Sequence, residues 1–255
     1  IDITKPKIFI AENVKGLVNM GQVKDIIQAD FSQADGNGYI VLSPQVLHAG
    51  NYGVPESRER VIFIGIRKDA LKEEIAQILK NDLIPNHLNP YPQPTHNCTL
   101  NDETLATPVV LCDVLKQLKE PKESFDPSQR FYSKAKYMGA HCQGQKEITM
   151  NSIGPTIRSE HHGNIEYRRL SLEHGGTNKN ELEKGLAERR LTPRECALIQ
   201  TFPPDFQFVI PKDYDWKRFI VSASGAYKVI GNAVPPILAY HIAMRIQNLW
   251  STYFK

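Results

Sequence analysis

A chain of 255 residues has room for one large domain or two small ones, and its 41% hydrophobic and 23% charged residues are those of an ordinary globular protein. A net charge of +3 permits contact with nucleic acid without demanding it. No apolar run reaches membrane-spanning length and no signal peptide stands out, which predicts a cytoplasmic protein without a membrane partner. The four cysteines (Cys98, Cys112, Cys142 and Cys196) form no C-x-x-C pair and read as free thiols of a reducing compartment. The first residue is Ile1 rather than Met, pointing to a missing N-terminus, a processed chain or a cut inside a longer protein.

Three stretches of the first 70 residues read as strands: Lys7–Ala11, Tyr39–Leu47 and Val61–Arg67. The first and third are continuous apolar runs, as in strands covered on both faces. Between the first two, Val14, Leu17, Val18, Val23, Ile26 and Ile27 recur at helical spacing. Strand, helix, strand is a piece of an α/β sheet. Glu12 and Asn13 follow the first apolar run, and open α/β sheets bind ligands at such strand ends. A carboxylate there can shuttle a proton, or can simply serve the first turn of the next helix. In VPESRERVIFIGIR, Arg58 and Arg60 share a side of an extended chain. Two guanidiniums together suit a phosphate or a polarised carbonyl, and a solvated Arg/Glu strand edge is the plain alternative.

From about Lys68 the character changes. Leu71–Leu79 reads as a short helix, and PNHLNPYPQPTHN opens a turn-rich region that continues to about Arg190. Such a region is a small loop-rich domain or an insertion, with GGTNKNELEKG (175–185) exposed and mobile. Order returns at LTPRECALIQTFPP. Thr192 is placed as N-cap, Pro193 opens the helix, Glu195 completes a capping box, and Pro203 and Pro204 end it. YKVIGNAVPP reads as a strand–turn–helix junction offering the Asn232 amide and backbone N–H groups to a small polar ligand. The last segment, 235–254, is an amphipathic helix that buries Leu238, Ile242, Ile246, Leu249 and Tyr253.

Each signal is weak alone, and their order makes them specific. AENV, VPESRERVIFIGIR, RRLTPRECALIQTFP and YKVIGNAVPP, with GPTIRSEHHGNIEYRRL between the second and third, resemble the later motifs and target-recognition domain of the DNA cytosine-5 methyltransferases. The resemblance spans nearly the whole chain. It implies an α/β fold, part of an S-adenosylmethionine-dependent, Rossmann-like sheet interrupted by a loop-rich recognition domain. Residues 1–67 would be strands of the catalytic domain, 68–188 the recognition domain, and 189–255 the return to the catalytic domain.

The resemblance also implies roles. Glu12 would hydrogen-bond N3 and the exocyclic amine of a flipped cytosine while Asn13 braces the turn. Arg60 would contact the base O2, and Arg58 would hold the site and the DNA backbone. Asn232, Ala233 and Val234 would hold S-adenosylmethionine. Thr156 and Ile157 match the family's Thr-Leu pair, and Arg158, Glu160, His161, His162, Arg168 and Arg169 are the nearby polar residues for double-stranded DNA. No metal site is expected, since the histidine pair has no ligand partners at matching spacing. Two departures stand out. Glu56 replaces the usual Gln, and a carboxylate is unfavourable near DNA phosphates, which argues against DNA contact by this residue. The family's Pro-Cys nucleophile and Gly-rich cofactor loop are absent from these 255 residues. The implied partner is therefore an N-terminal half, joined or separate, that carries both, and the setting a bacterial cytoplasm with its nucleoid. The alternative is a DNA-binding remnant without catalysis.

Overall fold

The computed structural model describes residues 1–19, 22–34, 36, 38–81, 83–159, 164–214 and 216–255. Strand β1 (Ile8–Val14) leads through a 3-10 turn (Lys15–Asn19) to helix α1 (Val23–Gln33). Strands β2 (Tyr39–Val41), β3 (Gln45–His48) and β4 (Glu59–Arg67) follow. β4 is the centre of the sheet. It pairs antiparallel with β1 from Ile8↔Ile66 to Val14↔Arg60, and on its other side with β2 and β3. β1 and β2 therefore run in the same direction with β4 between them.

Two sequence expectations change here. The predicted strand 39–47 is divided into β2 and β3, and Pro44, which has no N–H to give a ladder, stands in the gap. Glu12 and Asn13 lie inside β1 rather than beyond its end, because pairing to β4 continues through them to Val14.

β4 is buried on both sides. Ile62, Ile64 and Ile66 share a hydrophobic core with the closing helix, and Val61 and Phe63 are equally buried on the opposite face. On that opposite face of β1 the Phe9 ring lies over Gly65, where a Cβ would stand 2.1 Å from the ring, and meets Phe31 at a tilt and Tyr39 edge-on. β1 is covered less well than its apolar run predicts. Ile10 and Val14, on the same face as Ile64 and Arg60, are 45% and 54% exposed. Among the described residues β1 pairs with β4 alone, which makes it an edge strand.

Helix α2 (Glu73–Leu79) buries Ile75 and Leu79 in this first core, which also takes in Leu88 and Tyr91. The middle of the chain carries short elements: α3 (Leu111–Leu115), α4 (Pro127–Arg130), β5 (Tyr167–Arg169), α5 (Lys179–Glu183) and β6 (Arg189–Arg190). Helix α6 (Pro193–Ile199), the hairpin of β7 (Ile210–Pro211) and β8 (Phe219–Val221), and helix α7 (Ala223–Asn232) complete the same unit. Leu111, Leu115, Ile157, Ile165, Leu191, Cys196, Ile199, Tyr227 and Ile230 form its core. Helix α8 (Pro236–Tyr253) then returns to the first core with the predicted stripe, Leu238, Ile242, Ile246, Leu249 and Tyr253. Packing thus divides the chain near residues 91–111 and 230–238, later than the expected 67 and 188. Leu71 to Tyr91 pack on the sheet, and α6 and α7 pack with the middle unit.

The capping box of α6 forms as read: Thr192 Oγ1 accepts from the Glu195 N–H at 3.0 Å, and Glu195 Oε2 from the Thr192 N–H at 2.8 Å. The helix ends at Ile199, before the prolines, as Thr201 takes a left-handed turn (φ 66°). The junction read as strand–turn–helix is instead helix–turn–helix. Ser222 caps α7, and Ala226, Tyr227 and Ile230 are buried at helical spacing.

Candidate base pocket and recognition loop

Register alone brings Glu12 and Arg60 together. Glu12 is opposite Ile62 and Val14 is opposite Arg60, so the two charged side chains are diagonal neighbours on one face. Arg60 Nε lies 2.6 Å from Glu12 Oε1, with 12% and 25% of the two side chains exposed. Burial, and then the neighbouring Arg58, lower the Arg60 pKa, while Glu12 opposes them. The guanidinium also donates to the Glu59 carbonyl at 2.8 Å, which fixes its plane. A carboxylate and a guanidinium half-buried side by side offer acceptor and donor atoms to one planar polar molecule. Asn13 Oδ1 accepts from the Val14 N–H at 2.8 Å, so this side chain braces its own strand.

Arg58 is not on that face. It precedes β4 and is fully buried. Nη1 donates to the Ile157 carbonyl at 3.0 Å, and Nη2 to the carbonyls of Gly231 and Ala233 at 2.7 and 2.8 Å. This corrects the expected contact with the DNA backbone, because the guanidinium is fully buried and both terminal nitrogens donate to carbonyls inside the protein. Glu56 is also fully buried and accepts the Ile157 N–H at 2.7 Å, with Arg58 Nη1 3.4 Å away. This carboxylate, which would be unfavourable beside DNA phosphates, faces inward. Burial pushes its pKa up to about 7, against the pull of Arg58 and of the Ile157 N–H.

Ile157 is buried and held at both its N–H and its C=O. Thr156 hydroxyl donates to the Ser57 carbonyl, and Ser57 N–H and Pro55 C=O bond to Gly154. The Thr-Ile pair is therefore an anchor, while Arg158 beyond it is half-exposed and 3.6 Å from Glu166. His161 and His162, with Glu160, lie outside the described residues.

Arg168 and Arg169 are corrected as DNA contacts. They are 8% and 1% exposed, and both pair with Glu181, Arg168 at 2.6 Å. Arg169 also meets Glu120 at 3.2 Å and the Ala187 carbonyl at 3.0 Å. Glu181 comes from the segment expected to be exposed and mobile, so 175–185 is pinned by a buried ion cluster. Arg189 closes that cluster by pairing with Glu120 and, through two 2.9 Å bonds, with Glu195. Sequence reasoning missed this network and the Glu56–Arg58 clamp. Both rest on backbone carbonyls and distant carboxylates, which leave no local pattern.

Asn232 is exposed at the end of α7, and Ala233 and Val234 are half-buried, with Val234 packed on the first core. Gly231 makes this possible: a Cβ there would stand 2.3 Å from the Arg158 carbonyl carbon. The end of α7 thus lies directly against the backbone of Arg158 and Ser159.

The sequence model of the C-5 cytosine-specific DNA methylases matches residues 1–248. The chain belongs to this family. It is 34% identical to the Type II methyltransferase M.BspRI of Lysinibacillus sphaericus over 98% of its own length and 53% of that protein. It is 30% identical to the Type II methyltransferase M.FnuDI of Fusobacterium nucleatum over 96% of its length and 65% of that protein. The chain therefore spans about half to two thirds of the curated relatives it matches. Among solved structures, the Schizosaccharomyces pombe Dnmt2 methyltransferase superposes with a TM-score of 0.51 at 15% identity, covering 96% of this chain and 67% of that one, a likeness of fold.

Proposed function

We propose that this chain supplies the target-recognition surface and one wall of the base pocket of a DNA cytosine-5 methyltransferase. In this reading a further stretch of protein, joined or separate, brings the Gly-rich cofactor turn and the Pro-Cys nucleophile. The observation that carries it is the Glu12–Arg60 pair, 2.6 Å apart at the rim of the sheet. A cytosine swung out of double-stranded DNA, at an unstacking cost of about a few kcal/mol, presents N3 and its amine to Glu12 and its O2 to Arg60. Glu12 holds a proton at N3, which draws electrons from carbon 6 and eases attack there by a thiolate. Arg60 fixes the ring and spreads the charge on O2. Asn13 keeps the strand in register.

S-adenosylmethionine supplies the electrophilic methyl group when bound. The local geometry fits one wall of its pocket. The Gly231 and Ala233 carbonyls are already taken by Arg58, which leaves the exposed Asn232 amide and the half-buried Ala233 and Val234 to face a ligand. In this reading Arg158, half-exposed just beyond the anchored Thr156–Ile157 pair, meets the DNA site, and His161 and His162 are its sequence neighbours in that role. The free edge of β1, with Ile10 and Val14 exposed beside it, supports a completing strand from the remaining protein.

The test is reconstitution with a polypeptide bearing the Gly-rich and Pro-Cys segments, followed by transfer of labelled methyl groups to double-stranded DNA. Glu12→Gln is expected to lower turnover about 10²–10⁴-fold and to leave DNA affinity intact. Unchanged turnover removes the role of Glu12. DNA binding without methylation in every reconstitution favours the non-catalytic remnant.

A further inference from the structure

The chain carries a second charge pattern that the pocket and the anchored loop do not use. Between Asp126 and Glu147 there is no acidic residue, while Arg130, Lys134, Lys136 and Lys146 all fall there. Four cations without one carboxylate are a marked local excess in a protein whose net charge is +3. From Phe131 to Gly139 the backbone forms no helix or turn, and exposure alternates: Ser133, Ala135 and Tyr137 face inward while Lys134, Lys136 and Met138 face solvent. Lys146 is exposed at the far end of the segment. Among the described residues none of the three lysines is ion-paired, and Lys134 Nζ sits 3.4 Å above the Tyr132 ring.

This stretch is held rigidly from behind. Arg190, 1% exposed, donates to the carbonyls of Ala135 at 2.9 Å, Lys136 at 3.2 Å and Gly144 at 2.7 Å, and stacks on Tyr167. The Tyr227 hydroxyl accepts the Ser133 N–H at 3.2 Å, and Gln145 Oε1 accepts the Met138 N–H at 2.9 Å. Gly144 lies against the recognition region itself, where a Cβ would stand 2.3 Å from the Asn164 carbonyl carbon. The Lys146 end of the lysine stripe thus adjoins Asn164.

We propose that residues 133–146 form a rail for the phosphate backbone of double-stranded DNA, with Lys134, Lys136 and Lys146 as the contacting groups and Arg190 as the residue that positions them. The proposal rests on the DNA-methyltransferase reading above and names a surface outside its base pocket and anchored loop. Residues two apart in extended chain advance about 6.6 Å, close to the roughly 6.8 Å that one DNA strand advances in two nucleotides. Lys134 and Lys136 therefore stand in step with every second phosphate of one strand, and Lys146 adds a third cation beyond the turn at 140–144. Phosphate contacts position a protein without reading sequence. The rail sets affinity and orientation, and base choice stays with the neighbouring loop.

The experiment is a salt titration of binding to a duplex carrying the protein's site and to a scrambled duplex, with the chain alone and with the completing half present. For K134A/K136A/K146A, the slope of log K against log salt is expected to fall by about 2–3, since each lost phosphate contact removes roughly 0.9. Affinity should fall on both duplexes by the same factor, so their ratio holds. Arg190→Lys should give a smaller loss of the same kind if it folds, and circular dichroism checks that it does. Wild-type binding with an unchanged slope in the triple variant overturns the rail and leaves the DNA reading standing. A changed ratio between the two duplexes also overturns it, because the lysines would then be reading bases. No DNA binding by the wild-type chain in either setting overturns the parent reading and the rail with it.

Discussion

Glu56 shows how a single side chain changes meaning once its surroundings are known. From sequence it is a carboxylate two positions before Arg58, set where the family keeps an amide. In the fold it is wholly buried, accepts the Ile157 N–H, and leaves Oε2 without a hydrogen bond among the described residues. Its pKa is raised by burial to about 7 from an ordinary 4.5. Between those values the folded protein holds a proton that the unfolded chain releases, so this group's contribution to stability is present below about pH 4.5 and is lost as pH rises to about 7. Glu56→Gln keeps an acceptor for Ile157 and removes the titration. Thermal melts from pH 5 to pH 8 should find the variant level with wild type at the acid end and ahead of it at pH 8, by on the order of a few kcal/mol. Parallel pH profiles for the two proteins would show that Glu56 is ionised throughout. Glu12, the other carboxylate of interest, drew attention in the sequence through its place after an apolar run and the resemblance of AENV to a family motif. What no local rule supplies is its partner, since Arg60 is 48 positions away and meets it only through strand register.

At the scale of elements, the sequence was most legible where one face of one segment decides the structure. The stripe of α8 and the capping box of α6 are local statements, and both form as read. The α7 region was misread because YKVIGNAV looks strand-like from Tyr227 onward, while the helix starts earlier, at a Ser222 cap in a run of small residues. The recognition arginines were misread for a different reason. A run of Arg beside a polar loop looks the same whether it faces DNA or the carboxylates of Glu120 and Glu181, and those carboxylates are supplied by other segments. The contact between α7 and the recognition loop gives a direct test. Gly231→Ala places a methyl group 2.3–2.5 Å from the backbone of Arg158 and Ser159, and backbone cannot move aside as a side-chain tip can. The expected cost is about 1–3 kcal/mol, together with faster hydrogen exchange at 157–159. A stable variant with unaltered exchange would mean that the two segments are not pressed together in solution.

At the scale of the whole molecule, two cores share one chain, and the first has an uncovered side. The first core takes in the β4 isoleucines and packs on Ile8 of β1, while Ile10 is left 45% exposed next to a strand edge unpaired among the described residues. Exposed apolar edges recruit other strands. Sedimentation of the isolated chain should show self-association that rises with concentration. Ile10→Lys should reduce it with little change in melting temperature, because the position is already half in water. A wild-type chain that stays monomeric at high concentration would show that the edge needs no cover.

The grip on Ile157 reaches beyond stability. Glu56 and Arg58 hold that residue by its main-chain N–H and C=O, atoms that every non-proline residue possesses. The socket is therefore indifferent to the letters written on the loop beyond it. Under the proposed reading, a lineage can exchange the residues after 157 and acquire a new DNA preference without rebuilding the mount. An engineer can graft a relative's loop into this frame at the same seam, between the anchored 154–157 segment and the Arg190-braced end of the lysine stripe.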